Sequence, residues 1–584
     1  MKNKLKKAIL KWNKSFLLLF SFSICNLLYM HYYIFSTCNI EAPTDITSFF
    51  DNLTSIMIEI TLLYACYSLI LWKKVGYSLT FTFITTLIWA FSNILYSRFF
   101  LRYITFSSIG QIGNIFDYAI FECIVDGIKW TDIYFPFMSI FYVILYKILK
   151  ISQIKSNYII NLLTLSSLSL VIDLIIHVLF CATNSQLRYI SYYTQRVYAN
   201  HIIIDHNLGR PNWSNFHRGS VRTLIAEQII MYGNNINLEK EQIVQIQKVI
   251  RDRETIGHIK TNSHIKNIVF ILVESYVSFT TDLIIEGKEI MPFLNSLRNE
   301  PNVYYNGKMH SNITLGQSSD GQFIYMSGLL PLRPVITISK AKNVAIPGLP
   351  KLLSRKEKGM KSRMVIPTLP SLWEQEAMCI SYGFDKLYSS NDYPKDHNRN
   401  LSDEEVFEFA STIDKKSEEP FFSIILTMAM HSPYNKIYDP SFNINDKKYD
   451  EDFKCYLNAC HYTDKQIKNY FKSLKENGLY DKSLIIIASD HQVLEKFLNV
   501  EKYGYNRNLP LFIINGNLEG KEYENECNQI DVYPTILDIM GISGEWNGLG
   551  KSIISPNYSP IIEPKLWNIS EWILFGDYFN THSF

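Results

Sequence analysis

The chain contains nine cysteines but no CxxC pair and no zinc-type spacing, which argues against a thiolate metal site. A disulfide such as Cys455–Cys460 stays open on sequence grounds. Charge imbalance is also nearly absent: 57 lysines and arginines face 55 aspartates and glutamates, a net charge of +2. With so little basic surplus to neutralise a phosphate backbone, nucleic acid is not an expected partner. Long apolar runs are not lacking. A mean hydropathy near zero hides a chain whose first 182 residues are mostly apolar blocks and whose remainder is ordinary globular sequence. At 584 residues there is room for two or three domains.

Six lysines (Lys2, Lys4, Lys6, Lys7, Lys11 and Lys14) precede the first apolar block, Ser15 to Tyr33. The block is long and has no small-residue cleavage site, so an uncleaved span fits better than a signal peptide. Further blocks run from Leu53 to Trp72, Val75 to Phe99, Ile133 to Leu149 and Tyr158 to Cys181. Five spans are therefore expected over residues 1–182. Basic clusters before the first span, at Lys73-Lys74 and at Lys147, Lys150 and Lys155 would all be cytoplasmic by the positive-inside rule. An odd number of spans delivers the rest of the chain to the outer face. Arg98 and Arg102 lie on the wrong side for this rule, and interfacial anchoring and lipid-phosphate binding are equally weighted explanations.

Residues 183–262 form a polar connecting region with no repeat or low-complexity tract. Within it, Leu238 to Ile250 has the apolar spacing of an amphipathic helix, favoured as a packed connecting helix over one lying on a membrane. Beyond residue 263, short apolar runs alternate with helical stretches, the pattern of an α/β fold with a largely parallel sheet. Three of those runs end in groups able to do chemistry: Asn267–Val273 at Glu274-Ser275, Phe421–Met430 at His431, and Leu484–Ser489 at Asp490-His491. Ligands in open α/β sheets bind beyond the carboxyl ends of strands, so these groups can converge despite their separation. Each alone is more often a cap, a turn former or a structural histidine. Together, Glu274, Asp490 and His491 offer oxygen and imidazole ligands suited to a divalent cation.

Between the first two of those strands stands Ser311-Asn-Ile-Thr-Leu-Gly-Gln-Ser-Ser-Asp-Gly-Gln-Phe323, a small, polar stretch entering an apolar helical run. A glycine-containing loop leading into a helix presents free N–H groups and the positive end of the helix dipole. Ser318 and Ser319 are both candidate nucleophiles there. A cation held by the strand-end ligands would supply the missing activation by lowering the hydroxyl pKa.

The apolar start, Leu272-Val-Glu-Ser-Tyr, Gly316-Gln-Ser-Ser-Asp-Gly-Gln-Phe and Ser489-Asp-His together resemble the lipoteichoic acid synthase family of membrane phosphoglycerol transferases, in the sulfatase/alkaline phosphatase-like superfamily. Ser371-Leu-Trp-Glu-Gln-Glu-Ala-Met, Tyr382-Gly-Phe-Asp-Lys-Leu-Tyr, Met430-His-Ser-Pro-Tyr, His461-Tyr-Thr-Asp and Gln529-Ile-Asp-Val-Tyr-Pro-Thr extend the resemblance over nearly the whole chain. It implies a five-helix transmembrane domain followed by an α/β/α sandwich of the alkaline phosphatase/sulfatase-like type, with residues 263–584 as an extracytoplasmic catalytic domain. It also implies that Glu274, Asp490, His491 and Ser318 bind the metal, usually manganese, with Mg²⁺ or Zn²⁺ as alternatives. Ser318 takes the place of the family's nucleophilic threonine, and His431 and Trp373 match substrate-pocket positions. One departure concerns the arginine that the family's synthases carry two residues after that tryptophan. Gln375 stands there, and it hydrogen-bonds without a charged fork. The [Cys/Ser]-x-Pro-x-Arg motif of arylsulfatases is absent.

The expected activity is transfer of a phospholipid head group, phosphoglycerol or phosphoethanolamine, through a phospho-serine to a glycan or glycolipid acceptor. The setting would be the outer face of a bacterial cell membrane, in a multi-pass protein. A hydrolase, with water in place of the acceptor, is the first rival. A non-catalytic envelope-binding protein is the second, since fold alone does not guarantee activity.

Overall fold

A computed structural model describes residues 14–37, 46–71, 74–110 apart from 101, 124–149 apart from 126, parts of 215–228, 237–253, and 264–582 with short interruptions at 334, 357–358, 395–398, 419, 496, 519–524, 543–545 and 557. The chain divides into two compact units, one over 1–110 and 122–233, the other over 111–121 and 234–584.

In the first unit α1 (Lys14–Thr37), α2 (Ile46–Ile70), α3 (Val75–Phe100) and α4 (Tyr134–Ile148, entered through a 3₁₀ turn at Trp130–Ile133) are built from the apolar blocks. Four helices, rather than the expected five, are long and apolar enough to cross a membrane among the described residues. The block from 158 to 181 and most of the connecting region lie outside them. About 20 residues suffice for a hydrocarbon core, so α1 to α3 each have length to spare. Aromatic faces hold the unit together: Phe83 stacks on Tyr142 at 4.0 Å, and Tyr29 on Tyr134 at 4.1 Å.

Arg98 is neither an interfacial anchor nor a free phosphate ligand. Its guanidinium makes a bidentate pair with Asp132, at 2.7 Å to each carboxylate oxygen. It also donates to the Tyr33 hydroxyl and the Gly127 carbonyl. Both ends of the pair are buried, and an intramembrane charge is tolerated when so partnered. Arg102 is buried too, with one long hydrogen bond to Tyr96 at 3.4 Å.

The second unit starts, among the described residues, with α5 (Lys240–Asp252). It packs through Ile246 and Val249, so the amphipathic stretch is a packed helix. The remaining helices used below are α6 (Pro292–Leu297), α7 (Ser318–Ser327), α8 (Gln375–Tyr382), α9 (Asp403–Lys416), α10 (Glu451–Glu476), α11 (Val532–Ile539) and α12 (Pro564–Phe575). α5 lies on α12. Cys455 and Cys460, both on α10, are free thiols, so the disulfide left open above is not formed. Residues five apart on a helix point to different sides.

Ten strands are present among the described residues: β1 (Asn267–Val273), β2 (Ile284–Ile285), β3 (Lys288–Glu289), β4 (Val303–His310), β5 (Lys361–Val365), β6 (Lys386–Tyr388), β7 (Phe421–Leu426), β8 (Ser483–Ser489), β9 (Leu509–Ile514) and β10 (Cys527–Asn528). β2 and β3 make a small hairpin; the other eight form one sheet in the order β10-β4-β9-β8-β1-β7-β5-β6. The sheet is mixed, because β9 runs antiparallel to both neighbours while the other pairs are parallel. Every residue of β1, β7 and β8 is buried, as expected of central parallel strands covered on both faces. Val269, Ile271 and Val273 face the core built with α9 and α10. Phe270 points the other way, onto Tyr325 of α7 at 5.2 Å.

Candidate active site

Parallel pairing in register brings the chemistry-bearing strand ends together. Val273 pairs with Ser489 and Leu272 with both Ala488 and Leu426. The next residues on each strand, Glu274, Asp490 and Thr427, therefore leave the sheet side by side. Their contacts follow: the Glu274 amide donates to Thr427 Oγ1 at 3.1 Å, and the Asp490 amide to the Val273 carbonyl at 3.2 Å. Ser275 adopts a left-handed φ of 48°. There its amide donates to Asp490 Oδ1 and its hydroxyl to Glu274 Oε1, each at 2.8 Å, tying the two carboxylates into one frame.

Glu274, Asp490 and His491 form a buried cluster whose ligand atoms all lie within 4.8 Å of one another. His491 Nδ1 sits 2.7 Å from the Gln492 carbonyl. Donation there leaves Nε2 as a lone pair aimed at the cluster, 3.4 Å from Glu274 Oε1 and 3.7 Å from Asp490 Oδ2. Burial and the Glu274 charge push the Asp490 carboxyl up to about 7. Burial disfavours charge on His491, but the Asp490 and Glu274 carboxylates outweigh it and hold that imidazole above its ordinary value. No lysine or arginine pairs with these carboxylates among the described residues. Two buried carboxylates and one imidazole lone pair are a donor set that fits a divalent cation.

The fourth group arrives on α7. Gln317, immediately before it, has φ 49° and ψ −116°, a conformation that turns the chain sharply so that Ser318 opens the helix. Ser318 Oγ is 3.0 Å from His491 Nε2 and 3.3 Å from Glu274 Oε2. Gly321 permits this approach: a Cβ there would lie 2.1 Å from the Asp490 carbonyl oxygen. Ser319, the competing nucleophile, uses its hydroxyl on the Gly316 carbonyl at 2.8 Å instead. Asp320, buried, accepts from the Thr314 and Gly316 amides and from the Thr314 and Thr337 hydroxyls, which holds the loop before the helix.

A cleft opens beside the cluster, lined by Glu274, Ser318, Asp490, Gln322, Trp373 and Gln375 with Thr368 at its side. Trp373 and Glu374 take successive left-handed conformations, φ 50° and 60°, which sets the indole against His431 at 5.5 Å and 29°. His431 Nδ1 engages the Ser432 carbonyl. Burial pushes this imidazole below its ordinary value despite that bond.

All seven residues singled out in the sequence thus lie in this one region. Ser275 was noted only as the neighbour of Glu274, and Gln322, Thr368, Thr427 and Gln529 were given no role. Gln322 stands four residues after Ser318, the spacing of one helix face, and that signal was available. Gln529 donates to the Asp490 carbonyl at 2.7 Å while accepting from the Asn312 amide at 2.8 Å. Nothing local in the sequence marks that bridge.

A mixed α/β sheet carrying a serine at a helix N-terminus beside a carboxylate–carboxylate–histidine cluster defines the sulfatase class of domain, and residues 266–542 match the family model described as Sulfatase. The similarity to known proteins extends beyond that domain into the apolar N-terminal helices. The chain is similar to lipoteichoic acid synthase of Staphylococcus saprophyticus, 24% identical over 579 residues, covering 95% of this chain and 87% of the relative. It is also similar to lipoteichoic acid synthase 2 of Bacillus subtilis, 27% identical over 347 residues. That match takes in 54% of this chain and 52% of the relative's length. Among solved structures, the integral membrane lipooligosaccharide phosphoethanolamine transferase A of Neisseria meningitidis shares the fold. Its TM-score is 0.51 at 15% identity, over 91% of this chain and 96% of that one.

Proposed function

We propose that the chain is a membrane-anchored transferase that moves a phospholipid head group through a phospho-serine at Ser318 to a glycan or glycolipid acceptor. The observation that carries this reading is the Ser318 hydroxyl, held at the N-terminus of α7 within hydrogen-bond range of His491 Nε2 and near Glu274 Oε2. The names of the relatives, synthases and transferases of such groups, support it.

In the first step Ser318 Oγ forms a bond to the phosphorus of the lipid phosphodiester, and the bond from phosphorus to the diacylglycerol oxygen breaks. The proton lost from Ser318 is matched by one gained on the diacylglycerol hydroxyl. In the second step an acceptor hydroxyl attacks the same phosphorus, the bond to Ser318 Oγ breaks, and Ser318 regains its proton. A divalent cation held by Glu274, Asp490, His491 and Ser318 Oγ, Mn²⁺ in this reading with Mg²⁺ and Zn²⁺ as alternatives, would lower the hydroxyl pKa and offset charge on the phosphoryl oxygens. Backbone N–H groups at the start of α7 face the same charge. Trp373 and Gln375 bind the head group beside the nucleophile. His431, neutral and with Nδ1 committed to Ser432, keeps Nε2 as an acceptor for the incoming hydroxyl's proton.

In this reading α1 to α4 anchor the chain in a bacterial cell membrane, with residues 263–584 at its outer face, within reach of a lipid donor. The test is mass spectrometry of the full chain after incubation with phosphatidylglycerol vesicles and manganese. A phosphorylated adduct on Ser318 is expected, with loss of both adduct and diacylglycerol release in Ser318→Ala. Diacylglycerol release that persists in that variant would overturn the assignment.

A further inference from the structure

Two arginines stand at the end of α3, in different surroundings. Arg98 is closed on Asp132 by two bonds of 2.7 Å, with further bonds to Tyr33 and Gly127. Arg102, two residues beyond the helix, is as buried, at 6% exposure against 5%. Its Nε has no hydrogen-bond partner, and its Nη2 makes only the 3.4 Å bond to the Tyr96 hydroxyl. Among the described residues, Asp132 is taken by Arg98 and Glu59 by the Val221 amide at 2.6 Å. No carboxylate there pairs with Arg102.

A guanidinium keeps its charge in a protein interior, and a buried charge without a partner is costly. In a unit built of membrane-length helices, such a group marks a site whose counter-ion comes from a ligand. Interfacial anchoring, one of the two explanations open from sequence, does not fit. An anchoring arginine extends its head out of the protein into the interface, whereas this one is enclosed. The unfilled edge has a definite shape: Nε–H and the adjacent Nη2–H are parallel donors that match two oxygens of a phosphate. The described groups beside it are neutral. The Tyr96 hydroxyl lies 2.7 Å from Ser108 Oγ, which lies 2.7 Å from Thr105 Oγ1. The Phe100 ring stacks on Tyr96 and is 6.0 Å from the guanidinium. A ligand of net negative charge offsets the charge of Arg102, whereas a zwitterion brings a second cation that no described group holds. At the end of a membrane helix the anion at hand is a phospholipid phosphate.

We infer that Arg102 is the centre of an accessory site for an anionic phospholipid, binding its phosphate through Nε and Nη2 within the membrane unit. α3 begins beside Lys73-Lys74, so by the positive-inside rule its Arg102 end lies toward the outer leaflet. That placement rests on the membrane orientation proposed above. The site shares no residue with the cleft at Ser318.

The experiment is native mass spectrometry of the full chain taken from phosphatidylcholine vesicles doped with phosphatidylglycerol, counting the lipids retained per chain. The wild type is expected to retain one phosphatidylglycerol in preference to phosphatidylcholine. That lipid should survive EDTA, which removes any ion from Glu274, Asp490 and His491, and also excess inorganic phosphate. Arg102→Gln should weaken retention at least about tenfold, the scale of one hydrogen bond to a charged group. Arg102→Lys, which restores the charge without the fork, should fall between the two and covers a glutamine variant that fails to fold. Equal retention of the two lipids by the wild type, or retention unmoved by either substitution, would overturn the inference. Loss of the lipid to EDTA would assign it to the Ser318 cleft, and loss to inorganic phosphate would assign the site to the free anion. Either result overturns the lipid site at Arg102. Retention is read without turnover, so a chain that forms no Ser318 adduct would overturn the transferase reading and leave this site standing.

Discussion

Single residues show how much of this protein depends on buried polar groups that no local pattern announces. Asp464 is the clearest case outside the site. It stands on α10 and accepts from the Phe293 and Leu294 amides at 2.9 and 2.8 Å, capping α6 from a distant part of the chain. Burial pushes its carboxyl up to about 7 despite those two bonds. An unfolded aspartate titrates near ~3.9. Between those values the folded state holds more protons than the unfolded one, so stability falls as pH rises from about 4 to about 7 and then levels off. Asp464→Asn removes the titration and keeps one acceptor oxygen. The stability advantage of the wild type over that variant should therefore shrink from pH 5 to pH 8 in thermal melts. A constant gap would remove Asp464 from the pH response. The choice between Ser318 and Ser319 belongs to the same scale. Both serines looked alike in sequence, and they differ only in what surrounds them: Ser319 Oγ on the Gly316 carbonyl, Ser318 Oγ on His491 and Glu274.

At the level of elements, the decisive event is the approach of α7 to the end of β8. The sequence pattern was enough to expect a helix after the glycine-containing loop and a strand before Asp490-His491, because apolar spacing is a local property. Their contact was not legible, since it depends on a missing side chain. Any Cβ at 321 would sit 2.1 Å from the Asp490 backbone oxygen, so helix and strand end could not keep their separation. Gly321→Ala should displace Ser318 from the cluster. The expected result is at least about tenfold less adduct formation and a loss of about 1–3 kcal/mol in stability, as for other overpacked sites. Wild-type activity in that variant would mean that the helix is not positioned by this contact. The β9 strand illustrates another limit. Its apolar run reads like its neighbours', but it runs antiparallel to both β4 and β8. Direction is set by the connections, and hydropathy carries no sign of it.

For the molecule as a whole, two buried carboxylates facing each other at the end of the sheet would repel without a compensating charge. An ion bound only by the folded state adds stability by mass action, about 2.7 kcal/mol at a free concentration one hundred times its Kd. Chelation of the full chain should lower its melting temperature and abolish adduct formation, and added manganese should restore both. A melting temperature indifferent to chelation would show that the cluster holds no ion that stabilises the fold. Much of the plan was already determined by the sequence. The apolar blocks that build α1 to α4 are legible as membrane-length helices, and the fully apolar runs in the mixed-composition half as buried strands, because burial on that scale leaves little other use for them. Glu274 and Asp490 were visible at their strand ends as well, whereas the run before His431 overshoots its strand: β7 stops at Leu426, and Thr427 is the residue that leaves the sheet beside Glu274. Tertiary structure alone decided that Ser275 and Asp490, 215 positions apart, would share a hydrogen bond, that Arg98 would close on Asp132, and that Gln322 would turn into the cleft beside Ser318. Each of these depends on parallel register and on how closely two backbones can approach. Those are properties of the assembled sheet and its helices, and no window of sequence contains them.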